Sequence, residues 1–232
     1  MKKLSIGVFA HVDTGKTTMI EAMLYEAGAI KKLGRVDHKD SFLDTNTQER
    51  ARGITIFSKL CVLNFADSEV TLLDTPGHTD FSQEAERAMS VLDYAILLVD
   101  GKEGPMAHTK TLLELLDRNE IPVFCFVNKM DMAGADKERT LAALSKISGG
   151  RTADISSMED AALTDEALMD AFLKEGVVSD EDLARAVKKR KLIPCFFGSA
   201  LKNEGISEFM SRMDSLMIEP ERGDAFAARV FK

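Results

Sequence analysis

The sequence predicts an α/β protein of three layers, with a mostly parallel sheet between helices, one antiparallel edge strand and a helical insertion. Three observations carry this. Short apolar runs alternate with amphipathic stretches along most of the chain, the pattern of strands covered on both faces and joined by crossover helices. One pair of runs is separated only by Ala66-Asp67-Ser68-Glu69, too short a link for a crossover but right for a hairpin, hence one antiparallel edge strand. A single acidic stretch, 149–191, interrupts the alternation with a helical pattern of its own.

In chain order, the run at 4–10 reads as a strand and 16–27 as a helix. Residues 31–55 form a long polar loop containing Gly34 and Gly53, and a loop of that length in a compact domain usually has a function. Strands at 61–65 and 70–73 make the hairpin, followed by a helix at 81–90. Then strand and helix alternate: 94–99, 106–118, 123–127, 137–147, and after the insertion 193–197 and 206–217. Within the insertion, Ser179-Asp180-Glu181-Asp182 opens a helix that closes on Lys188-Lys189-Arg190-Lys191, with charges placed to suit the helix dipole. Residues 225–232, after Pro220 and Gly223, read as the start of a further strand.

Composition narrows the class. Hydrophobic residues make up 45% of the 232 and charged residues 29%, which suits a folded chain rather than a disordered one. Apolar runs fall far short of the roughly 20 residues a membrane span needs, and Met1-Lys2-Lys3-Leu4 leads into a strand with no cleavage site. A cytoplasmic protein without membrane partner or signal peptide is expected. Three scattered cysteines, Cys61, Cys125 and Cys195, give neither metal-ligand spacing nor a complete disulfide set. Net charge is −8, but 151–185 holds ten acidic and three basic residues, so the rest of the chain is close to neutral. Nothing points to DNA, and an RNA-rich partner is left open.

Chemistry concentrates where strands end. Ala10-His11-Val12-Asp13-Thr14-Gly15-Lys16-Thr17 links a strand to a helix with the spacing of a phosphate loop, Ala10 standing where a glycine is usual. Such a turn aims backbone N–H groups, here from Asp13, Thr14, Gly15, Thr17 and Thr18, at a phosphate on a helix N-terminus. Lys16 would reach the β- and γ-phosphates and the Thr17 hydroxyl would ligate Mg²⁺. The predicted class is thus a P-loop NTPase fold. Asp74-Thr75-Pro76-Gly77-His78 follows another strand, where Asp74 can hold Mg²⁺ through water and Gly77 can offer its N–H to a γ-phosphate; a plain polar turn is the alternative. Asn128-Lys129-Met130-Asp131 ends a third strand. There the Asp131 carboxylate can accept from N1–H and N2–H₂ of guanine, a donor pair that adenine lacks. Asn128 can bond the N7 side of the base and the phosphate loop, and the Lys129 stem can cover the base plane. Gly198-Ser199-Ala200-Leu201-Lys202 ends a fourth strand, and amides of Ser199, Ala200 and Leu201 can reach O6. In Arg52-Gly53-Ile54-Thr55, Thr55 can complete the Mg²⁺ shell only when a γ-phosphate is present. Ligands of open α/β sheets bind at such strand ends. The reading is GTP and GDP as substrate and product, with Mg²⁺ as cofactor.

With these residues, the sequence resembles the GTPase domain of translational GTPases such as elongation factor G, and is most similar to the tetracycline-resistance ribosomal-protection proteins. The carrying stretches are 10–18, 49–56, 74–81 and 126–131; 26–30 and 33–37 point to the ribosomal-protection branch. The likeness covers 2–136, returns at 193–217 and is poor across the insertion. It implies that residues 1–222 form the GTP-binding domain, with 149–191 inserted, and that 223–232 begin a β-barrel second domain. It implies that His78 orients the attacking water, with Val12 and Ile54 forming an apolar gate. It leaves Arg50 and Arg52 either touching ribosomal RNA or solvating their loop. With no arginine finger evident in the chain, slow intrinsic turnover and activation by the ribosome are expected. The alternatives are a nucleotide-dependent binding switch with negligible turnover and an elongation factor G-type translocase module.

Overall fold

The computed structural model describes residues 1–31, 59–75 and 87–221. Seven strands form one sheet: β1 (Lys2–Ala10), β2 (Lys59–Asn64), β3 (Ser68–Asp74), β4 (Tyr94–Asp100), β5 (Val123–Asn128), β6 (Thr152–Asp154) and β7 (Ile193–Phe197). Their order is β2-β3-β1-β4-β5-β7-β6. Every pairing is parallel except that of β2 with β3, the hairpin edge expected from its short polar link. Seven helices surround the sheet among the described residues: α1 (Lys16–Glu26), α2 (Ala107–Arg118), α3 (Lys137–Ser148), α4 (Met158–Ala162), α5 (Glu166–Glu175), α6 (Asp180–Lys188) and α7 (Ile206–Leu216). The helix expected at 81–90 is seen only in its last turn, 87–89; most of the long polar loop and the strand expected at 225–232 lie outside the described residues.

Strand alternation explains the two helical layers. In β4, Tyr94, Ile96 and Leu98 join one buried cluster with α1 and α7, while Ala95, Leu97 and Val99 join another with α2 and α3. In β5, Phe124 and Phe126 go to the first, and Val123, Cys125 and Val127 to the second. Successive side chains point to opposite faces, so a strand covered on both sides must be apolar throughout. Phe126 and Phe196 both stack edge-on against Phe209 of α7, at centroid distances of 5.2 and 5.0 Å. Burying a side chain of this size contributes about 2–3 kcal/mol. Cys125 and Cys195 are buried and Cys61 half-buried, all as free thiols.

The acidic stretch departs from expectation in one respect. It is not wholly helical: Thr152–Asp154 forms β6 and extends the sheet beside β7. Three residues are too few to show a period of two, so the strand was not legible in the sequence. Its helices begin as their sequences dictate. Ser157, Asp165 and Ser179 cap α4, α5 and α6 by accepting backbone N–H bonds from Asp160, Ala167 and Asp182. Leu168, Leu183, Ala186 and Val187 merge with the cluster around Phe196 and Phe209, so these helices share the main core.

The strand order places the ligand edge. From β1 the chain goes to β2 and β3 on one side, then crosses to β4 on the other. That reversal opens a crevice at the C-terminal end of β1. Register aligns the strand ends around it: Val8 pairs with Asp74, Ala10 with Leu98, Asp100 with Asn128, and Val127 with Phe197.

Candidate nucleotide-binding site

The loop after β1 turns on backbone that few residues accept. Asp13 has φ 63° and Gly15, the residue before α1, has φ 93°. A Cβ at Gly15 would also lie 2.6 Å from Asn128 Nδ2, so glycine is required there both for conformation and for space. Thr14 is buried, and its amide and hydroxyl both donate to the His11 carbonyl, at 3.3 and 2.7 Å. The start of α1 thereby presents Lys16, Thr17 and Thr18 at a helix N-terminus. Lys16 is 8% exposed and ion-pairs with Asp74, which is 1% exposed at the end of β3. The neighbouring Thr75 hydroxyl donates to Val8 carbonyl at 2.5 Å, tying the ends of β3 and β1 together.

Asn128, at the end of β5, is 3% exposed and uses its amide twice. Its Nδ2 donates to the Thr14 carbonyl at 2.8 Å, and its Oδ1 accepts the Ala200 amide at 2.8 Å. The expected bond to the phosphate loop is therefore present. Asn128 also joins that loop to the one after β7, a link that motif spacing alone did not reveal. It changes the reading of the fourth loop: the Ala200 amide is committed to Asn128, and the Ser199 amide to the Glu204 carbonyl at 3.0 Å. Of 198–202, the Leu201 amide is the one with no bond of its own among the described residues. Lys129 Nζ reaches back to the Asp13 carbonyl at 2.5 Å and pairs with Asp100 Oδ2 at 2.8 Å.

Asp131 sits two residues further, half-buried, 3.6 Å from Lys202 Nζ. A hydrogen bond from the Ser199 hydroxyl, aided by Lys202, holds its carboxyl below the ordinary carboxylate range. A carboxylate kept ionised is acceptor only, suited to two N–H donors on one edge of a base. His11 lies edge-on to His108 at 5.9 Å, and its Nδ1 is buried without a partner among the described residues. His108 is half-buried. Val12 is half-buried. Ile54, Thr55, Gly77 and His78 lie outside the described residues. Asp100 and Lys202 were not singled out from sequence. An Asp-Gly pair closing an apolar strand was the available signal for the first.

Four strand ends thus converge on a phosphate loop flanked by the Asp131 carboxylate and the loop at 198–202. Residues 1–219 match the family described as Elongation factor Tu GTP binding domain. The chain belongs to that family. Its members are GTP-hydrolysing domains of translational GTPases. Among relatives, the Tetracycline resistance protein TetM of Streptomyces lividans is 37% identical, over 94% of this chain and 38% of its own length. Elongation factor G 2 of Syntrophus aciditrophicus (strain SB) is 30% identical over 94% of this chain and 40% of its own. A crystal structure of a Thermus thermophilus protein superposes with a TM-score of 0.81 at 21% identity, covering 94% of this chain and 40% of that one; at such identity it speaks for the fold. The chain spans about two fifths of the length of these relatives.

Proposed function

We propose that the chain binds GTP at the edge formed by β1, β3, β5 and β7, hydrolyses it to GDP and phosphate with Mg²⁺, and serves as the GTPase module of a cytoplasmic, ribosome-associated protein. The convergence of the Gly15–Lys16 turn, Asp74 and the Asn128–Asp131 loop carries the reading. In this assignment the amides of residues 13–18 and the Lys16 ammonium hold the phosphates. Asp131 reads the guanine N1–H and N2–H₂, the Leu201 amide donates to O6, and the Lys129 stem covers the ring.

The donor set fits Mg²⁺. Asp74 and Thr17 offer hard oxygen atoms, and this ion keeps several waters and phosphate oxygens rather than a full protein cage. A cluster of three or more His, Cys, Asp or Glu side chains is absent from the described residues, as such a site allows. When bound, the ion neutralises charge on the β- and γ-oxygens. Lys16 exchanges its carboxylate partner for phosphate oxygens and adds positive charge where the transition state gathers negative charge. His78 is assigned to orient the attacking water, beside Val12 and Ile54, with Thr55 completing the metal shell and Gly77 donating to the γ-phosphate.

The resemblance to ribosomal-protection proteins and to elongation factor G supports a ribosomal partner. Single-turnover and steady-state GTP hydrolysis, measured with and without ribosomes, tests this. Slow turnover by the chain alone and faster turnover with ribosomes is expected. Rapid turnover without them, or no binding of guanine nucleotide by calorimetry, would overturn it.

A further inference from the structure

Asp100 closes β4 and uses its two carboxylate oxygens for different tasks. Oδ1 accepts the backbone amides of Lys102 and Glu103, at 2.9 and 3.1 Å, and so folds the turn after the strand. Oδ2 takes no part in that turn. It faces Lys129 Nζ at 2.8 Å. Lys129 in turn holds the Asp13 carbonyl of the phosphate loop at 2.5 Å, from a backbone in the left-handed region at φ 62°. A non-glycine residue keeps that conformation only when its surroundings hold it there. One ammonium thus fastens the ends of β4 and β5 to the phosphate loop. Asp100 is 12% exposed and Lys129 33% exposed, so the pair is shielded from water on the carboxylate side.

We infer that Asp100 is a positioning residue for guanine nucleotide: through Oδ2 it fixes the Lys129 ammonium, and with it both the side chain that covers the base and the carbonyl that shapes the phosphate loop. The inference rests on the nucleotide site proposed above and adds a residue to it. An untethered lysine would lose its fixed geometry to rotamer freedom and would have to be ordered again on binding. The charge state suits the task. Burial pushes the Asp100 carboxyl up, but the Lys129 ammonium and the two turn amides outweigh it and hold the group below the ordinary carboxylate range. The Asp100 carboxylate is therefore charged at neutral pH and takes up a proton only as pH falls through that lowered value.

The two oxygens allow a clean test. Asp100→Asn keeps an oxygen for the turn amides and replaces Oδ2 by a donor nitrogen facing the ammonium. In this chain, GDP affinity by calorimetry should fall about tenfold or more, the scale of a lost charge-assisted bond, with Tm unchanged. In a Lys129→Met background, Asp100→Asn should cost no further affinity. Equal GDP affinity in Asp100→Asn and wild type would overturn the inference. So would a full additional loss in the Lys129→Met background, which would mean that the carboxylate acts other than through Lys129, or an unfolded Asp100→Asn chain, which would place it in the fold alone. Failure of the wild-type chain itself to bind GDP would instead remove the site on which the inference rests.

Discussion

The C-terminal edge of the sheet and the capped helices at 157–188 handle polar groups in opposite ways. At the edge, Asp74 and Asn128 are buried at strand ends and Lys16 and Ser199 just beyond them, and left-handed backbone occurs at Asp13, Gly15 and Lys129. In 157–188 the cap residues Ser157, Asp165 and Ser179 lie at helix starts, and the interior is made of apolar residues such as Leu168, Leu183 and Val187. Burying polar groups and straining backbone costs stability unless bonds offset it. Several such features collected at one place mark a surface organised around a ligand. Caps over an apolar interior mark a segment organised around folding. Substitutions in the two regions should therefore fail in different assays.

The largest effect is expected at the edge. In Asp131→Asn, an amide nitrogen replaces one acceptor oxygen and faces the guanine donors. GDP affinity should fall about a thousandfold, or about 4 kcal/mol, as for sites that reject a ligand lacking the matched hydrogen-bonding group. Xanthosine diphosphate, which carries a carbonyl where guanine has its amino group, should bind in its place. Thermal melting should move little, because the asparagine keeps an oxygen for the Ser199 hydroxyl and the lost partner, Lys202, is half-exposed. Titration of the variant with both nucleotides decides the matter: unchanged GDP binding would erase the assignment of this edge to the base.

The reverse behaviour is expected at Leu183, which is fully buried on α6. Leu183→Ala removes three heavy atoms from the core shared with Phe196 and Phe209 and should cost about 3 kcal/mol. Denaturant unfolding would show a lower midpoint, while GDP affinity of the folded chain stays as in wild type. Loss of affinity at full folding would mean that 149–191 reaches the site, and the contrast between the regions would fail.

Much of this was legible from sequence because it rests on local signals. Apolar runs gave every long strand, and Ala66-Asp67-Ser68-Glu69 gave the antiparallel edge now seen between β2 and β3. The nucleotide loops were legible because each requires particular residues at fixed spacing, as at Gly15, where both φ and the nearness of Asn128 exclude a side chain. What escaped was long-range. Asn128 and Ala200 are 72 positions apart, and Lys129 and Asp13 are 116 apart; no periodicity reports such partners. Strand β6 escaped for a different reason. Its three residues gain their place from pairing with β7 rather than from any pattern of their own.

The smallest effect separates local folding signals from core packing inside 149–191. The Ser179 hydroxyl oxygen accepts the Asp182 amide at 3.1 Å and caps α6, whose first turn also carries Asp180, Glu181 and Asp182. Ser179→Ala removes that cap and should destabilise the chain by about 1 kcal/mol. The acidic turn keeps its favourable interaction with the helix dipole, which limits the loss. Ser179→Asp restores an acceptor at the same position and should recover most of the stability in denaturant unfolding. If Ser179→Ala instead costs as much as Leu183→Ala, helix α6 is held by its first turn more than by its buried face. The insertion would then fold by local signals and only afterwards dock on Phe196 and Phe209, which is the opposite of what its shared core implies.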